Sequence, residues 1–147
     1  MNITPNTQAT LLLTAPLIIG KKREKADQLT LGEFNKLAHI LSENKKTPAD
    51  LLDFNNSDLI EECSKPFGLQ RIEALLARGY QLSQALEKWN SKSIWIISRG
   101  DPNYPTQIKE RLKSQAPTIL YGCGDLGIIQ KKGFAVVGSR KVDDNLR

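Results

Sequence analysis

The stretch Gly133-Phe134-Ala135-Val136-Val137-Gly138-Ser139-Arg140-Lys141-Val142-Asp143-Asp144-Asn145-Leu146-Arg147 decides how this chain is read. Phe134 to Val137 form a short apolar run with β-branched residues at its end, the pattern of a strand buried on both faces. Gly138 breaks the run, and in open α/β sheets ligands gather beyond the carboxyl ends of such strands. Without a Cβ, Gly138 lets the backbone turn sharply and come close to an anion. Ser139 offers a hydroxyl or a helix cap, and Arg140 a planar fork of donors matched to phosphate. The expectation is a buried strand ending in a phosphate-contacting loop. A plain strand followed by a polar turn is the alternative that these residues leave open.

Charge is distributed to suit that reading. The chain has 147 residues and a formal net charge of +5. Residues 1–90 hold 11 Lys plus Arg against 11 Asp plus Glu, whereas residues 91–147 hold 10 against 5. The whole excess therefore falls after residue 90, where an anionic partner is expected. Apolar content of 39% and charged content of 25% fit a globular chain. Cys63 and Cys123 stand far apart, with no CxxC pair or clustered histidines. They indicate ordinary thiols, neither a disulfide framework nor zinc, and no cofactor is implied. His39 is the single histidine, and no nucleophile signature accompanies it.

Upstream, the sequence is helical. Thr4 and Pro5 read as N-cap and first residue of a helix through Thr14. The apolar stretch Ala9–Gly20 raises a signal-peptide question. The absence of a basic n-region, the interruption at Pro16 and its shortness argue against both a signal peptide and a membrane span. Thr30 and Glu33 have capping-box spacing, ahead of Phe34, Leu37, Ala38 and Leu41 on one helical face. Short helical turns open at Thr47-Pro48 and at Ser57-Asp58. Leu69, Ile72, Leu75 and Leu76 line another helix, and Leu82, Ala85, Leu86 and Trp89 the next. Gly79 between them fits a left-handed C′ position. This pair invites a helix-turn-helix reading, which its few bases, Arg71, Arg78 and Lys88, weaken.

After Asn90 the pattern changes. Ser93–Ser98 reads as a buried strand with Trp95 in the core, and Arg99–Pro105 is dense in turn residues. A helix follows through Lys113 with Ile108 and Leu112 inward, then a strand at Pro117–Tyr121 and a helical segment at Leu126–Ile129. Helices first, then strands alternating with helices, predict an α+α/β chain with a helical domain over 1–91 and an α/β domain over 92–147.

Four linked segments carry a resemblance: Ile94-Trp-Ile-Ile-Ser-Arg-Gly-Asp-Pro-Asn-Tyr-Pro105, Ile108-Lys-Glu-Arg-Leu112, Ala116-Pro-Thr-Ile-Leu-Tyr-Gly-Cys-Gly-Asp-Leu126 and Ala135-Val-Val-Gly-Ser-Arg-Lys141. In this order they resemble the DNA-processing protein A family, DprA or Smf. The resemblance implies a helical domain similar to a sterile alpha motif, followed by a Rossmann-like domain. It also implies a cytoplasmic, non-enzymatic binder of single-stranded DNA that acts in natural transformation and helps load the recombinase RecA. Gly138, Ser139 and Arg140 match the family's first phosphate-contacting loop, and Lys141 adjoins it. The remaining parallel strands, a second glycine-rich basic segment and the dimerisation and recombinase surfaces lie outside this sequence. The expected Rossmann-like domain is therefore incomplete, and binding is expected to be impaired. A helical interaction domain without DNA binding, and a nucleotide-processing enzyme of Rossmann type, are the other classes considered.

Overall fold

The computed structural model describes residues 2–19, 22–23 and 27–138. Its first helix, α1 (Pro5–Thr14), is the centre of the molecule. Thr4 Oγ1 accepts from Thr7 N–H at 3.1 Å and Pro5 occupies the first turn, so the start is capped as the sequence predicts. Thr7, Ala9, Thr10, Leu11, Leu12 and Leu13 are all buried. Its leucines therefore belong to the interior of the fold, which accounts for the apolar run that looked like a leader. Each fully buried leucine contributes about 1.5–3 kcal/mol. Among the described residues no helix is long and apolar enough to cross a membrane.

Two short strands, β1 (Ile18–Ile19) and β2 (Lys22–Arg23), pair antiparallel after α1. Helix α2 (Leu31–Glu43) opens with the expected reciprocal capping box of Thr30 and Glu33. A 3₁₀ turn at Pro48–Leu52 leads to α3 (Ser57–Ser64), α4 (Leu69–Leu76) and α5 (Gly79–Ser91). Leu13, Leu29, Phe34, Leu37, Leu41, Leu51, Cys63, Ile72 and Leu75 form one core cluster. Burial pushes the Cys63 thiol pKa up, which keeps it a neutral apolar group.

Strands β3 (Ile94–Ser98) and β4 (Ile119–Cys123) pair antiparallel, with Ile96 opposite Tyr121. Between them lie α6 (Thr106–Leu112) and a 3₁₀ turn at Lys113–Gln115. A second core cluster joins Leu11, Leu12, Ala15 and Leu17 to Leu82, Ala85 and Ile96, so α1 and α5 share their packing with the sheet. The fold is mostly helical with two small two-stranded antiparallel sheets, compatible with the α+α/β expectation.

Several expectations need correction. Phe134–Val137 is not a buried strand: residues 132–138 have no regular structure, and Phe134, Val136 and Val137 are more than 90% exposed. A strand needs neighbours for its backbone groups and layers over its faces, and none of the described residues supplies them. Gly79 is not a left-handed helix end but the first residue of α5. The left-handed glycine of this region is Gly68, at φ 93°, between α3 and α4. Helix α6 buries no residue and Leu112 is 46% exposed, because among the described residues no layer covers its outer side. Trp95 is half-buried rather than in the core. Its indole lies over Gly122 and donates to Gly124 C=O at 3.1 Å.

Candidate nucleic-acid interface

Of the four residues predicted to contact phosphate, Gly138 alone is described; Ser139, Arg140 and Lys141 lie outside the described residues. Gly138 is exposed, and a Cβ placed on it would meet nothing within 4 Å. Upstream of it, exposed Lys131 and Lys132 follow a 3₁₀ turn at Leu126–Gln130 that Asp125 caps.

The family-like segments around Gly100–Pro105 prove architectural. Asp101 is 8% exposed and receives three donors: Ser98 N–H at 2.8 Å, Thr7 Oγ1 at 2.5 Å and Thr4 Oγ1 at 2.6 Å. Burial pushes its carboxyl up, but these hydrogen bonds outweigh that effect and hold its pKa below the ordinary value. Tyr104 is buried and donates to Pro117 C=O at 2.7 Å, closing the loop between β3 and β4. The sequence marked these residues as turn formers. It gave no sign of Asp101's partners Thr4 and Thr7, at the start of α1 and more than ninety positions away.

Arg71 and Arg78, which a helix-turn-helix would present to DNA, are engaged elsewhere. Arg71 grips Glu33 with both terminal nitrogens at 2.9 Å and donates to the carbonyls of Asp27 and Gln28. Arg78 is 3% exposed and donates to Leu12 C=O and Ala15 C=O, satisfying carbonyls left over at the end of α1. His39 is exposed, with Nε2 3.3 Å from Glu43 on the same helix. No group of three or more His, Cys, Asp or Glu that could hold a metal occurs among the described residues.

Cationic groups instead collect in a cleft of about 630 Å³ bounded by α1, α2, the Pro48 turn, the end of β3 and α6. Arg99, Lys109 and Lys113 line it together with Asn6, Asn35 and Ser114, and among the described residues no carboxylate does. Arg99 is held in place: Nη1 donates to Ala116 C=O at 3.1 Å, Nη2 to Asn35 Oδ1, and the guanidinium lies 6.0 Å from the Phe34 ring centroid. Lys109 Nζ stands 5.7 Å from the Tyr104 ring centroid. Sequence reading missed this cleft. Its three cations were visible only as part of the charge excess after residue 90, because the cleft's other wall comes from helices far upstream.

A second concavity, of about 600 Å³, opens between α1, the Pro48–Asn56 turns, α3 and α4. Leu52, Phe54, Ile60, Leu69 and Leu76 give it an apolar floor, with Glu61 and Glu73 on its lining. Phe54 is 94% exposed.

The sequence model of the family described as DNA recombination-mediator protein A matches residues 95–147. No curated protein and no solved structure matches the chain at a significant level.

Proposed function

We propose, from the premise that residues 95–147 form a fragment of the DNA recombination-mediator protein A family, that this chain is a single-stranded DNA-binding protein of the DprA type. In this reading residues 1–91 are a helical domain similar to a sterile alpha motif, and residues 92–147 begin a Rossmann-like DNA-binding domain. The role is cytoplasmic and non-catalytic: handling of incoming strands during natural transformation and loading of RecA upon them. The family match carries the proposal, since it spans the Gly138-Ser139-Arg140-Lys141 segment as well as the motifs around β3 and β4. The positive excess after residue 90 supports it. Basic side chains and backbone amides of such a loop neutralise phosphates without reading bases, so affinity falls with salt.

Fluorescence anisotropy of labelled oligo-dT, titrated with this chain at low and moderate salt, tests the proposal. Binding that weakens with salt and in Arg140→Ala is the expected outcome. A folded chain that fails to bind at low salt would sink it.

The apolar concavity favours a second reading, a helical interaction domain without DNA binding. From Thr47 to Ser64 the chain carries Asp50, Asp53, Asp58, Glu61 and Glu62 and no Lys or Arg. Charge complementarity therefore selects a partner segment that is basic as well as apolar. Loss of partner capture in Phe54→Ser, with oligo-dT binding absent in the parent chain, is the result that would favour this reading over the first.

A further inference from the structure

We propose that the cleft lined by Asn6, Asn35, Arg99, Lys109, Lys113 and Ser114 is a second phosphate site, gripping the backbone of single-stranded DNA apart from the Gly138–Lys141 segment. The inference rests on the DNA-binding reading above and adds a site to it. Arg99 from the end of β3 and Lys109 and Lys113 from α6 and its cap face one concavity that, among the described residues, no carboxylate lines, which is the charge arrangement that concentrates an anion. Arg99 is oriented in advance by Asn35 and Ala116. Among the described residues these contacts take two of its five N–H donors.

The backbone at Lys113 gives an independent indication. It sits at φ 49° and ψ −119°, a conformation that favours glycine, at the position that ends α6. A lysine at a position where glycine would cost less points to a use for its charge. The ligand is a phosphodiester rather than a base. Phe34 and Tyr104, the aromatic rings beside the cations, are 4% and 3% exposed and leave no open face for stacking. Recognition at this site is therefore independent of sequence.

The test uses the full chain and labelled oligo-dT across a salt series, with Lys109→Gln, Lys113→Gly, Arg140→Ala and the remote Lys88→Gln. Lys109→Gln and Lys113→Gly are each expected to weaken binding roughly three- to tenfold at low salt. Each should also flatten the slope of log K against log salt by about 0.7. Lys113→Gly should at the same time raise Tm, which separates lost binding from lost folding. Lys88→Gln, outside the cleft, should bind as the parent does. Binding abolished by Arg140→Ala but unchanged in affinity and slope by both cleft variants would overturn the second site and leave the DNA-binding reading standing. Absence of binding by the folded parent chain would overturn both.

Discussion

Gly122 shows how a single residue fixes the outer face of the sheet. A Cβ built on it would lie 2.2 Å from Trp95 Cζ2 and 2.5 Å from Cη2, so the indole occupies the space a side chain would need. Trp95 and Gly122 are directly opposed in the ladder, and the aromatic ring covers the glycine's backbone. Since the ring is rigid, Gly122→Ala must displace it and break its bond to Gly124 C=O. The expected loss is about 1–3 kcal/mol, as for other overpacked sites. Urea unfolding followed by tryptophan emission measures it, and an unchanged midpoint with unshifted emission would show that the ring does not lie there. The sequence had both residues in view and read Trp95 as core. What it could not supply was the register that sets one opposite the other.

At the scale of elements, local signals were legible and long-range ones were not. The caps of α1 and α2 could be read because Thr4-Pro5 and Thr30-x-x-Glu33 make contacts within three residues. Arg71, thirty-eight positions from Glu33, could not be assigned to that cap, yet it is the larger influence on it. The Arg71 guanidinium, helped by Thr30 N–H, lowers the Glu33 pKa from 4.5 to about 2. A carboxyl whose folded pKa is depressed adds stability that is full above the unfolded value and lost as pH falls through the folded one. The contribution is therefore complete above about pH 4.5 and disappears toward pH 2. Stability of the parent chain should fall through this window more steeply than that of Glu33→Gln, which has no charge to lose there. Urea midpoints at a series of pH values measure the difference, and parallel curves would exclude the ion pair as its source. Phe134–Val137 marks the opposite limit. Its apolar run was read as a buried strand and is none, because strand formation depends on neighbours and residues 132–138 have none among those described.

For the whole molecule, α1 ties the helical part to the sheet. Its first turn binds Asp101 through Thr4 and Thr7, its far end receives Arg78, and its leucines share a cluster with Leu82, Ala85 and Ile96. The sequence order suggested a boundary after residue 91, and the packing across that point couples the two sides. Coupling of this kind predicts one cooperative transition. Helix content by far-UV circular dichroism reports chiefly on residues 1–91. Near-UV signals from Trp89 and Trp95 report on α5 and the sheet, and the two curves should coincide on heating. Asp101→Ala leaves Ser98 N–H and the Thr4 and Thr7 hydroxyls without their buried acceptor. The estimated loss is about 3 kcal/mol. For a chain of this length that corresponds to a Tm lower by roughly 6–12 °C. Both signals should move together in this variant, because the acceptor belongs to the end of β3 and its donors include the start of α1. A near-UV transition that falls in Asp101→Ala while the far-UV transition stays in place would show that the helices stand without the sheet. Position 101 would then hold only its own loop.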